Sequence, residues 1–171
     1  MLAGVVILYH PDKKVFENIE QYRDALDILF VLDNTENPSE STAHFFSSFS
    51  NVKYIAFHEN MGLSYALNYA LRIASGYSYL LTMDQDSYFS KDMLEKYKLH
   101  IQQCENNPGF SNIAMYAVHY SGSKSETDKK KKYVIAAITS GSILNVKIAT
   151  MLGGFDENLF IDEVDDEFCY R

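Results

Sequence analysis

The 171 residues suffice for one domain that buries roughly 70% of its unfolded surface. Acids outnumber lysines and arginines 23 to 15, and the formal charge of -8 argues against nucleic acid or an anionic membrane surface as main partner, because both call for basic faces; a nucleotide bound here would come with a metal. Cys104 and Cys169 are too few and too far apart for a zinc site or a redox pair, and no apolar stretch approaches the ~20 residues of a membrane span, so the chain reads as cytoplasmic with reduced thiols.

Gly4-Val-Val-Ile-Leu-Tyr9 is a β-branched apolar run closed by His10-Pro11-Asp12, the pattern of a buried strand and a turn that starts a helix. Leu26 to Leu32 repeats it and ends at Asp33-Asn34, ahead of a Thr/Asn/Pro/Ser cluster that reads as loop. A third strand fits Val52 to Phe57, closed by His58-Glu59-Asn60. Leu63, Ala66, Leu67, Ala70, Leu71 and Ala74 then recur at steps of three and four, the stripe of a helix with one face on a sheet. Gly76 would end it. The run from Tyr79 is the next strand, and a helix from Lys91 to Glu105 stops before Asn106-Asn107-Pro108-Gly109. Strand and helix alternate through the first half, which predicts an α/β fold with a mostly parallel, doubly wound sheet.

After Pro108 the spacing predicts strands over 112–120 and 133–138, flanking a polar insert whose lysines, Lys129 to Lys132, read as solvation. Ser140-Gly141-Ser142 follows, then a short helix near Val146 to Leu152. The end, Phe160 to Arg171, mixes five acids with aromatics and reads as the first turns of a helix, where acids suit the N-terminus. His44, His58, His100 and His119 have no mutual spacing that suggests ligation.

The strand that starts at Tyr79 stops at Asp84-Gln85-Asp86-Ser87. Ligands of open α/β sheets sit outside the carboxyl ends of the strands, and alternate residues of an extended chain point the same way, so both carboxylates can face one cation. Hard divalent cations take one or two carboxylates together with substrate phosphates. The pair therefore suits a site that holds a diphosphate through Mg²⁺ or Mn²⁺, between which the residues do not choose.

Six pieces now stand in order: Val5 to Pro11, Val31-Leu-Asp-Asn34, Asn60-Met-Gly-Leu63 with Ala66-Leu-Asn68, Met83 to Ser87, Thr139-Ser-Gly-Ser142, and Gly153-Gly-Phe-Asp-Glu157 leading to Phe160 to Asp165. In this order they resemble the family 2 inverting glycosyltransferases of GT-A fold, a Rossmann-like sheet with helices on both faces, and Asp-Gln-Asp-Ser resembles the rhamnosyltransferase-like members. The resemblance covers essentially the whole chain. It implies a nucleoside diphosphate sugar, dTDP- or UDP-linked, as donor and a saccharide or lipid-linked acceptor, in cell-surface polysaccharide synthesis. It also implies roles: Asp33 accepting hydrogen bonds from a pyrimidine ring, with Tyr9 and His10 lining that edge; Asp84 near ribose and metal, with Asp86 the firmer metal ligand; Asn60 and Gly62 in a turn near the nucleotide; and Gly141 and Ser142 near the donor sugar or acceptor. Asp165, in the frame Val164-Asp165-Asp166-Glu167 with Arg171 after it, matches the catalytic base. Asp162 and Asp166 are its rivals, and Val164 stands where the family often has Glu.

By the same resemblance residues 1–107 form a nucleotide-binding half and 108–171 an acceptor-side half of one domain. Relatives continue further, so the second half is expected to be incomplete, and the full-length protein to allow peripheral association with the inner face of the membrane. Two other readings stand beside this one. A nucleotide-sugar-binding module without turnover would keep the same site. A phosphohydrolase of the haloacid dehalogenase type also uses an Asp-x-Asp strand end, but wants Thr or Val where Tyr88 stands and places its motif on the first strand. A nucleotidyltransferase would need a Gly-rich basic first loop that the chain lacks.

Overall fold

The computed structural model describes residues 1–107, 112–118 and 134–171. The insert over 121–132, His119 and the outer parts of the two strands predicted beside the insert lie outside these residues. Four parallel strands form the base of the fold: β1 (Leu2–Leu8), β2 (Ile28–Asp33), β3 (Val52–Ala56) and β4 (Tyr79–Asp84). Two short antiparallel strands, β5 (Met115–Tyr116) and β6 (Ser142–Asn145), extend the sheet in the order β3-β2-β1-β4-β6-β5.

Strand alternation sends successive side chains to opposite faces, and each face has its own helices. One core joins Val6, Leu8, Val31, Leu81 and Met83 to α1 (Lys13–Tyr22), α2 (Glu40–Ser47) and α4 (Lys91–Glu105). The other joins Val5, Phe30, Leu32, Leu80 and Leu144 to α3 (Leu63–Ile73), α5 (Val146–Met151) and α6 (Val164–Tyr170). The predicted stripe of α3 is its buried face, with Ala66, Leu67, Ala70 and Leu71 all buried. Asp12 starts α1 as an N-cap, accepting from the N–H groups of Lys14 and Val15.

The second half differs from the sequence expectation. The described part of the strand predicted over 133–138 is not a strand, and Val134, Ile135 and Ile138 are exposed. The strand that does pair with β4 is β6, which follows a turn nailed down by Thr82: its hydroxyl donates to the carbonyls of Thr139 and Ser142, and its carbonyl accepts from Gly141 N–H. Among the described residues of the strand predicted over 112–120, Met115 and Tyr116 pair with it. The loop predicted after Asn34 gives way to α2, which Ser39 caps and Phe46 anchors with no exposure.

Candidate active site

Three parallel strands end side by side, and the candidate residues follow them. In the ladder Leu8 faces Asp33 and Ile7 faces Asp84, so the two aspartates close the strands flanking β1. Tyr9 and His10 continue from β1 between them. His10 takes a left-handed backbone, φ 47°, which histidine adopts more readily than most side chains. Its N–H donates to Thr35 Oγ1 at 2.9 Å, and its ring lies 3.4 Å from Glu36 and edge-on to Tyr9.

Asp84 shares the parity of Leu80 on β4, whose neighbours are α3, α5 and α6. That brings α6 to it. The Asp84 carboxyl is held above the usual carboxylate range, first by burial, then by the negative charges of Asp86 and Asp165, while a hydrogen bond from Ser140 pulls it down. Although the residue as a whole is exposed, protein crowds its carboxyl. Asp165 sits in the first turn of α6, and its Oδ1 is buried without a hydrogen-bond partner among the described residues. Asp86, two residues on, and Asp165, on α6, are thus the acids whose charges bear on Asp84.

Asp33 is placed differently. The alternation of β2 turns it toward Tyr54, on the face of α1 and α2, where it is fully buried. Its Oδ2 accepts from the Tyr54 hydroxyl at 2.7 Å and its Oδ1 from Thr35 N–H at 2.9 Å.

The remaining predicted residues build the frame. Asn60 Oδ1 accepts from Gly62 N–H at 3.1 Å. Gly62 takes φ 82°, and a Cβ there would lie 2.7 Å from the Phe160 ring. The N-terminus of α3 is consequently filled by chain: Leu63 N–H donates to Phe160 O at 2.6 Å, and the Ser64 hydroxyl to Leu159 O. Gly141, at φ 75°, and Ser142, whose hydroxyl donates to Ile138 O at 2.6 Å, form the turn beneath Asp84. Ser142 is buried.

Sequence reasoning passed over the contacts that hold this arrangement. Ser140, inside the quoted Thr139-to-Ser142 motif, accepts from Asp84 N–H at 3.2 Å, and its Oγ lies 3.0 Å from Ser87 Oγ. Gln85 bonds the backbone of Tyr9. Asn68 grips the backbone of Phe155 from α3. Position within a motif was the only signal for each.

No group of three or more His, Cys, Asp or Glu side chains among the described residues is arranged to hold a metal ion. Asp84 and Asp86 supply two carboxylates, and the negative charge crowded around Asp84 is what a divalent cation would neutralise. Such a donor set fits Mg²⁺ or Mn²⁺ completed by phosphate oxygens. A groove of about 550 Å³ runs beside Asp86, lined among others by His10, Lys14, Asn18, Gln85 and Tyr88.

A family model, glycosyl transferase family 2, matches residues 13–141. A dTDP-rhamnosyl transferase, RfbF of Shigella flexneri, is 25% identical over 99% of this chain and 62% of its own length. Among solved structures, S. aureus TarS 1-349 in complex with UDP superposes with a TM-score of 0.68 at 16% identity, over 98% of this chain and 53% of that one. GalNAc-T7 with UDP, GalNAc and Mn²⁺ gives 0.69 at 12% identity, over 99% and 40%. The chain therefore spans about six-tenths of the curated relative and about half or less of these solved chains. These likenesses show the fold, which is the GT-A type that the motifs imply. No described helix is long and apolar enough to cross a membrane.

Proposed function

The chain belongs to glycosyl transferase family 2, and on that footing we propose that it carries the donor site of an inverting transferase. The sugar leaves a nucleoside diphosphate for a saccharide or lipid-linked acceptor. The dTDP-rhamnosyl transferase relative favours rhamnose and dTDP, and the product would serve cell-surface polysaccharide synthesis on the cytoplasmic side of the membrane. Residues 1–107 form the nucleotide half and 108–171 the acceptor half.

One observation carries the reading: Asp84 ends β4 on the face that α6 covers, and the first turn of α6 holds Asp165, whose Oδ1 is buried without a hydrogen-bond partner among the described residues. This supports reading Asp165 as a base beside a diphosphate site at the end of β4. Tyr9 and His10 line the base, and Asp33 accepts from the pyrimidine ring by giving up the Tyr54 hydroxyl for it. Asn60, Gly62, Gly141 and Ser142 hold the turns around the donor. Asp86 and Asp84 hold the cation, Mg²⁺ or Mn²⁺, which when bound neutralises charge on the departing diphosphate. Asp165 takes the proton of the acceptor hydroxyl, whose oxygen forms the new bond to the anomeric carbon as the bond to the diphosphate breaks. The nucleoside diphosphate departs with its electron pair, and a single displacement inverts the centre.

Calorimetric titration of the chain with dTDP and UDP, with and without Mn²⁺, tests the donor site. The expected result is Mn²⁺-dependent binding that the Asp86→Ala variant loses by about tenfold or more, the cost of a charge-assisted contact. Binding untouched by the substitution would remove Asp86 from the metal site, and no binding to either nucleotide would remove the donor-site reading.

A further inference from the structure

β1 and β4 pair in parallel as far as Ile7 and Asp84, where β4 ends. The next residue, Gln85, turns its carboxamide back across the gap. Its Oε1 accepts from Tyr9 N–H at 3.0 Å, and its Nε2 donates to Tyr9 O at 3.1 Å. A primary amide offers donor and acceptor much as a peptide group does, so the side chain supplies the next rung of the ladder after the backbone has left it.

The rung joins two segments of distinct chemistry, one carrying Tyr9 and His10 and the other Asp84 and Asp86. Each is also tethered to the scaffold separately, His10 N–H to Thr35 Oγ1 at 2.9 Å and the Asp86 carbonyl to Asn18 Nδ2 at 3.4 Å. Among the described residues, the hydrogen bonds that tie the two segments to each other are both made by Gln85.

We propose that Gln85 is a positioning residue, whose amide fixes the spacing between the Tyr9–His10 turn and the Asp84–Asp86 pair. The ligand that needs this spacing is one with a base at one end and a metal-bound diphosphate at the other. The inference rests on the donor-site reading above. A two-ended ligand gains from a fixed separation of its subsites as a linked pair gains from effective concentration, whereas a fragment touching one subsite gains nothing.

Two variants test it. Gln85→Leu removes both hydrogen bonds, and Gln85→Glu keeps the acceptor only. In the ligand-free protein, amide exchange at Tyr9, read by NMR, should be slowest in the wild type, faster in Q85E and fastest in Q85L, with about tenfold or more between the extremes. For binding, Q85L should weaken Mn²⁺-dependent dTDP or UDP by about tenfold or more, while thymidine or uridine alone and Mn²⁺ pyrophosphate alone, followed by ligand-observed NMR, stay within about twofold of wild type. Equal losses for whole ligand and fragments would overturn the positioning role, as would an unchanged affinity for the whole ligand. Unchanged exchange at Tyr9 would overturn the clamp itself, whereas a wild type that binds neither nucleotide overturns the donor-site reading on which its ligand rests.

Discussion

Two aspartates in the site carry opposite expectations. Asp165 has a buried oxygen without a partner among the described residues, a costly state for a carboxylate that an acceptor hydroxyl would relieve. Asp165→Asn keeps the shape and loses the basicity, so it should cut turnover by about 10²- to 10⁴-fold while donor affinity by calorimetry stays near wild type. Equal losses in both would make Asp165 a structural acid, and Asp162 or Asp166 the base. Asp84 bears on stability instead. Burial and the charges of Asp86 and Asp165 raise its folded-state pKa above the ordinary 3.8. Its contribution is therefore complete below that value and is lost as pH rises through the raised one, so near pH 7 the ionised carboxylate burdens the metal-free fold. In EDTA at pH 7, Asp84→Asn should unfold at a higher temperature than wild type, and the gain should shrink as the pH falls toward 4. Solvent on its open side limits the gain to about 1 kcal/mol or less. Added Mn²⁺ should stabilise the wild type more than the variant, by linkage.

At the scale of elements, the seat of α6 decides whether Asp165 reaches Asp84. The loop that leads to it is pinned from α3 by Asn68, whose Oδ1 accepts from Phe155 N–H at 2.7 Å and whose Nδ2 donates to Phe155 O and Glu157 Oε1, each at 2.9 Å. Gly154, at φ 72°, leaves room for that amide, since a Cβ there would meet Asn68 Oδ1 at 2.3 Å. From the far end Arg171 bonds the carbonyls of Leu152 and Gly154 and pairs with Glu167. Asn68→Ala should cost about 1–3 kcal/mol in urea unfolding and, under the proposed roles, lower turnover more than donor affinity, because it loosens the seat of Asp165 and not the end of β4. The spacing of Asn68 and Gly154 placed them in motifs, but their joint is a contact between segments 87 residues apart, which no local pattern encodes. Among the legible elements are α3, whose apolar residues recur at steps of three and four, and α4, which stops before Asn106-Asn107-Pro108-Gly109. β6 was missed because it has four residues and only two large apolar ones, Ile143 and Leu144, and its pairing is set by the Thr82 turn. The apolar run at Val134 to Ile138 imitated a strand, yet its side chains face solvent. At the site, Asp84 and Asp86 could be read from a strand ending in acids, whereas the burial of Asp33 against Tyr54 depends on β3 lying beside β2.

In the whole molecule the two faces of the sheet divide the labour. The layer of α3, α5 and α6 carries Asp165 and with it one end of the proposed site, and the layer of α1, α2 and α4 chiefly closes the other core. Ile101 belongs to that second core with 3% exposure, ten residues along α4 from Lys91, or about 15 Å at the helical rise. Ile101→Ala should cost about 2–5 kcal/mol in urea unfolding, the loss of buried methylenes plus the cavity they leave. Donor affinity, measured where the variant is still folded, should remain within about twofold of wild type, because sites this far apart without shared partners act independently. A parallel fall in affinity would mean that packing on the α4 face sets the position of the β4 end. The strands argue otherwise: β1 lies between β2 and β4 with a continuous ladder on both sides, so the edge that presents Asp84 is fixed by backbone pairing, and a hole under one helix need not move it.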